Sequence, residues 1–240
     1  MEEKWLDLFF GVLQSLIITG ITGGIAVIIT KQYLKKILFA SELKSYGFQN
    51  IRATNLSDSE MQFIFQKADI IKILYVSGKN FLTINKRYFA LAMHRKIPPS
   101  IQYLCAKQGT DFLHDVEKME LGYGSRSDSD CTINEDINKA LAFLSNLGGK
   151  KLEIRMFNTQ FRLPLILAEF HDKNGETKDI RGWLYITLPP HESKESFILS
   201  GRCSILDHFD ANSEQLNFIA MMESHFDSIW KESIPYKTNQ

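Results

Sequence analysis

The sequence predicts an α/β protein: one N-terminal transmembrane helix followed by a mixed-sheet α/β domain. Three observations carry this reading. Residues 8–30 contain no charged side chain. Short β-branched apolar runs at residues 69–76 (DIIKILYV) and 100–106 (SIQYLCA) alternate with helix signals, as strands buried on both faces alternate with their crossovers. Further along, Asn174-Gly175 separates two apolar runs and marks an antiparallel hairpin, so the sheet is expected to be mixed.

The first element is the membrane segment. At a helical rise of ~1.5 Å per residue, residues 8–30 span about 34 Å, enough for a hydrocarbon core of ~30 Å. The tail before it is net acidic and the apolar run exceeds a signal-peptide core, which argues against cleavage. Lys31, Lys35 and Lys36 follow the run while Glu2, Glu3 and Asp7 precede it. The positive-inside rule therefore places the N-terminus outside and everything after residue 30 in the cytoplasm. Gly20 and Gly24 form a GxxxG pair, and Gly11, Ser15, Thr19 and Gly23 recur every four residues as a small-residue stripe. Gln14 at membrane depth would gain from an interhelical hydrogen bond, because an amide facing lipid is costly. These residues predict a homo-oligomer formed through the membrane helix. Chance occurrence of small residues in such helices is the plain alternative.

Residues 31–46 carry an apolar stripe near helical period and read as a juxtamembrane helix that stops at Gly47. The domain occupies residues 47–240. A strand is expected at 48–53, then a helix opened by the Ser57/Glu60 capping box and running to Ala68, then the strand 69–76. Ser77-Gly78-Lys79 breaks that strand, helix signals resume at about Asn85 and run to Arg95, and Pro98-Pro99 precedes the next strand. Residues 122–130 (GYGSRSDSD) have no apolar period and read as a surface loop. The Thr132/Glu135 capping box opens a helix that stops at Gly148-Gly149. Strands are expected at 151–158, 161–170, 179–188 and 196–201, and a long amphipathic helix from Ser213 to about Glu232 closes the chain.

Composition narrows the function. Lys plus Arg and Asp plus Glu both number 28 and the pI is about 7.0, so no global field favours nucleic acid or an anionic substrate. Cys105, Cys131 and Cys203 are too scattered for a disulfide framework or a zinc site and read as buried thiols in a reducing compartment. Clusters around His208 (Asp207, Asp210) and His225 (Glu223, Asp227) are too dense for one helix face and read as surface charge. Lys86, Arg87, Arg95 and Lys96 give a helix with basic ends, either a solvated face or a contact with anionic headgroups. Trp183, Tyr185 and Phe197 read as core and sheet-face residues rather than as a base-stacking platform.

Several tracts, GFQNIRA, ADIIKILYVSGKNF, KLEIRMFN, RGWLYITLPP and HFDSIW, together resemble a degenerate phospholipase-D-like domain across most of residues 47–230. Active members of that superfamily use paired HxKxxxxD motifs, one His as nucleophile and the other as general acid. The nearest approach here is His171, Lys173 and Asp179, with the aspartate one residue late and the Asn174-Gly175 turn inside the motif, so His171 is expected on a hairpin tip. The resemblance thus assigns no catalytic residue, metal ligand or cofactor. A phosphate loop is also excluded, because GxxxxGK[ST] is absent and no helix is expected to start at Lys79. Ligands of doubly wound sheets nevertheless bind at strand carboxyl ends, which makes Ser77, Gly78, Lys79 and Asn80 the expected pocket rim.

The leading expectation is a non-enzymatic membrane effector, similar to single-pass effectors of bacterial antiphage systems of the retron or cyclic-nucleotide type. Its partners would be membrane lipid, further copies of itself, and a regulatory protein or nucleoprotein, with no direct nucleic-acid signal. The alternatives are a membrane-anchored phosphodiesterase of the phospholipase-D type and a passive scaffold or ligand-binding module.

Overall fold

The computed structural model describes residues 48–52, 56–122, 132–148, 151–158, 164–187, 196–204 and 217–237. The elements in chain order are β1 (Phe48–Arg52), α1 (Asp58–Lys67), β2 (Ile70–Leu74), α2 (Lys79–Met93), β3 (Ser100–Ala106), α3 (Asp111–Gly122) and α4 (Ile133–Leu147). They continue with β4 (Leu152–Phe157), β5 (Leu165–His171), β6 (Thr177–Thr187), β7 (Ser196–Ser204), α5 (Phe218–Glu232) and β8 (Ile234–Pro235). The strands form one mixed sheet in the order β1-β7-β6-β5-β2-β3-β4-β8. Strands β2, β3 and β4 are parallel, while β5, β6, β7 and β1 extend the sheet antiparallel on one side and β8 pairs antiparallel with β4 on the other.

Local chemistry explains most boundaries. Ser57 caps α1 and Thr132 caps α4, each exchanging hydrogen bonds with the glutamate three residues on. The hairpin between β5 and β6 turns at Gly175, at φ +83°, after Asp172 has accepted the backbone N–H groups of Asn174 and Glu176. β2 pairs with β3 on one side and β5 on the other, so its backbone groups are satisfied by strands rather than water.

Alternation along β2 sorts the two layers. Tyr75 stacks on Phe81 of α2, with ring centroids 4.8 Å apart, while Lys72 reaches Glu223 and Asp227 of α5. Side chains of odd separation point to opposite faces. Helices α1, α2 and α4 therefore cover one face, where Phe65, Phe89, Ile73 and Tyr103 are fully buried. Helix α5 covers the other, packing Ile219 and Phe226 against β4, β6 and β7. Gly182 of β6 lies under α5 because a Cβ there would come within 2.6 Å of the Ile219 side chain.

Three sequence expectations change. The helix after β2 begins at Lys79, six residues before Asn85, because Gly78 adopts φ +69° and turns the strand directly into α2. Helix α3 was not expected; Phe112, Leu113 and Val116 bury its apolar side. The short β8 follows α5 and closes the sheet edge, with Tyr236 N–H donating to the Ile154 carbonyl at 2.9 Å. The membrane segment and its small-residue stripe, the juxtamembrane helix, the loop at 123–130 and the His208 cluster lie outside the described residues. Among the described residues no helix is long and apolar enough to cross a membrane.

Candidate functional site

The residues Ser77–Asn80 lie where the parallel strands end. Backbone pairing continues past β2, through Tyr75 N–H to the Leu104 carbonyl and Ala106 N–H to the Val76 carbonyl, and then stops at the glycine turn. The turn is tight. Tyr103 projects from β3 and donates its hydroxyl to the Ser77 carbonyl at 3.2 Å, and a Cβ on Gly78 would stand 1.8 Å from that hydroxyl oxygen. Only glycine meets both the positive φ and the close approach. Burial pushes the Tyr103 phenol well above its ordinary value, so it remains a neutral donor.

Gly78 supplies no side-chain cap to α2, and no acidic residue occupies the first turn. The positive end of the helix therefore meets Lys79 rather than a carboxylate. Lys79 Nζ lies 2.9 Å from Asp136 Oδ1, a buried carboxylate in the first turn of α4. The loop after β3 joins the same cluster: Gln108 donates to the Asn134 carbonyl at 2.9 Å and Gly109 N–H to Asn134 Oδ1 at 3.1 Å. The β2–α2 turn, the β3–α3 loop and the start of α4 thus meet at this end of the sheet. It offers backbone donors, one half-exposed ammonium and amide groups, the chemistry of anion or polar-ligand binding.

A second charged cluster, which sequence reasoning missed, lies on the opposite face under α5. Lys72 Nζ is 2.8 Å from Glu169 Oε1, 3.0 Å from Glu223 Oε1 and 3.0 Å from Asp227 Oδ1. Burial opposes the charge on Lys72, but Glu169 and Glu223 more than reverse that and hold the ammonium above its ordinary range. Glu223 is itself raised by burial, with Glu169 and Asp227 adding to the effect against Lys72. Glu223, expected as surface charge, is turned inward, while Asp227, one helical turn on, keeps a side chain 45% exposed as it reaches Lys72. The available signal was one lysine and one glutamate inside otherwise apolar strands.

The histidine motif does not assemble. His171 is the last residue of β5, beside the hairpin turn but within the strand ladder, its backbone N–H bound to Asp69 Oδ2 at 2.8 Å. Its Nε2 is buried without a hydrogen bond among the described residues, 3.8 Å from Glu169 Oε2 and so on the α5 side of the sheet. Asp179 is on the other face, held by Arg202 Nε at 2.6 Å and Arg181 Nε at 3.3 Å. Arg181 stacks over Phe63 of α1, which fixes that face. His171 and Asp179 cannot act on one substrate atom. Cys105 and Cys203 are buried as expected, and desolvation pushes the Cys105 thiol up to about 12. Among the described residues no group of three His, Cys, Asp or Glu side chains is arranged to hold a metal ion. Comparison with protein-family models, curated proteins and solved structures finds no match to this chain.

Proposed function

We propose that this chain is a membrane-anchored effector of a bacterial antiphage system, in which residues 8–30 span the inner membrane and a phospholipase-D-like domain in the cytoplasm restrains them. The observation that carries the proposal is the charge-free run itself: it is long enough to cross a bilayer, is followed by Lys31, Lys35 and Lys36, and bears the Gly11 to Gly24 stripe of small residues. Release of the domain by a regulatory protein or nucleoprotein frees the helices to associate and disturb the bilayer. The rim at Ser77–Asn80, with its glycine turn, uncapped helix start and accessible Lys79, supports a role for the domain in binding. The separation of His171 and Asp179 onto opposite sheet faces weighs against the phosphodiesterase alternative.

Induced expression in bacteria tests this reading. The wild-type chain should fractionate with membranes and depolarise them, measured with a potential-sensitive dye. Gly20→Leu combined with Gly24→Leu should insert equally but depolarise far less, because branched side chains block close backbone approach. A soluble wild-type chain removes the anchor from the proposal. Equal harm from wild type and variant at equal membrane level removes the stripe.

A further inference from the structure

We infer that the outer face of α2 and the turn after it form a contact surface for an anionic lipid bilayer. From Ile70 to Thr110 the sequence contains seven basic residues and no aspartate or glutamate, although the whole chain has formal net charge zero. The positive charge is concentrated in one segment.

The structure places part of that segment on a single exposed face. At 3.6 residues per turn Asn80, Thr83, Ile84, Arg87, Leu91 and His94 fall within an arc of about 100°, and all six are exposed. Two of them are large aliphatics, Ile84 at 73% and Leu91 at 47% exposure, and Ile97 in the following turn is 67% exposed. These make up half of the exposed large hydrophobic side chains among the described residues. Lys86 and Lys96 flank the stripe, both exposed and without an ion pair among the described residues. The counter-charges nearby come from other elements: Asp58 of α1 lies 2.5 Å from Arg87, and Asp136 of α4 holds Lys79. Arg95 donates to the Phe65 and Ala68 carbonyls, with Asp69 the carboxylate acting on it from beside β2.

Aliphatic side chains beside uncompensated lysines match a surface that is negative outside and apolar a few ångströms deeper, which is the headgroup boundary of an anionic bilayer. A solvated face tolerates one such side chain, but Ile84, Leu91 and Ile97 stand exposed along one helix and its following turn. An acidic protein partner satisfies the lysines but not the gradient in polarity. The inference rests on the anchored reading only in that an anchor keeps the domain near a bilayer.

The test uses the full chain reconstituted into nanodiscs, with an environment-sensitive fluorophore on Ile84→Cys and, as control, on Lys173→Cys of the exposed hairpin. Cys131→Ser removes one native thiol, and Cys105 and Cys203 are buried. In discs containing about one-third phosphatidylglycerol, the label at position 84 should move to the blue and be quenched by acyl-chain quenchers. It should do neither in phosphatidylcholine alone. Salt at about 1 M, where the Debye length is ~3 Å, should reverse the effect. Lys86→Glu with Lys96→Glu should lose it while the circular dichroism melt is unchanged. Lack of contact in both lipids, equal contact in both, or equal quenching at position 173 each overturns the inference. Burial of the label in lipid-free micelles that grows with protein concentration names a second copy as the occupant and also overturns it. Failure of the chain to enter discs sinks the anchored reading instead. In that case phosphatidylglycerol vesicles added to the unanchored chain decide the α2 contact by the same shift.

Discussion

Two lysines seven residues apart on the same strand–helix unit have opposite fates. Lys72, in the middle of β2, has a side chain 8% exposed and surrounded by three carboxylates. Lys79, at the carboxyl end, is 34% exposed and meets one. The first holds α5 to the sheet; the second stands at an open edge beside an uncapped helix start. The difference teaches that burial, not charge, decides whether a cation is structural. Removed from water, an ammonium requires fixed partners, and those partners fix the helix that carries them. At the sheet edge, water competes with Asp136 and leaves Lys79 able to exchange its partner for a ligand.

The comparison breaks most readily at Lys72. Lys72→Met should destabilise the domain by about 3–5 kcal/mol in denaturant unfolding, because Glu169 and Glu223 remain buried without a counter-charge. Native-state hydrogen exchange should then show α5 opening before the strands. A loss below about 1 kcal/mol would show that the cluster is solvated and the contrast with Lys79 false.

Gly78→Ala tests the edge. The positive φ and the clash with the Tyr103 hydroxyl should together cost roughly 2–4 kcal/mol. Tyr103→Phe removes the clashing oxygen at a cost of about 1 kcal/mol, and the double variant should be more stable than the sum of the single losses predicts. Simple additivity would mean that the turn relaxes away from Tyr103.

The alkaline limb of stability sharpens the contrast by sign. The folded Lys72 holds its proton above its ordinary value of 10.5, so its contribution is complete below that pH. Above it the unfolded chain releases the proton first, and stability falls as pH rises toward the folded value. Wild type should therefore lose stability above about pH 10.5 more steeply than Lys72→Met, with Tyr75 and Tyr103 contributing the same sign in both. Parallel curves would remove Lys72 from the account. The smallest effect is expected from Lys79→Ala, about 1–2 kcal/mol: Asp136 is buried and loses a counter-charge, but water reaches the lysine end of the pair and can take the place of the ammonium. A cost equal to that of Lys72→Met would erase the distinction between the two lysines.

Most of the domain's elements were legible in the sequence because their signals are local. The Ser57 and Thr132 boxes announced α1 and α4, the apolar runs announced β2 and β3, and Asn174-Gly175 announced the hairpin. The start of α2 was misread because Lys79 to Asn85 lacks a polar cap, and the helix opens on a glycine whose conformation depends on Tyr103. The end of a buried strand at Ser77–Asn80 was legible as a position, but the contacts there from Asp136, Gln108 and Asn134 were not, since those residues arrive from elements tens of residues away.

By itself the sequence determined what neighbouring residues decide: which segments become strands or helices, where caps and turns stop them, and that residues 8–30 carry no charge. Only the tertiary structure decided which face each side chain serves. Lys72 and Glu223 are 151 positions apart, and nothing local to either makes them partners. His171 and Asp179 are eight positions apart, close enough to resemble a motif, yet a strand turn and alternation put them on opposite sides of the sheet. The physical reason is the same in both cases. Backbone signals act over a turn or two of chain, whereas the layer a side chain enters is set by the register of strands and the packing of helices assembled from the whole domain.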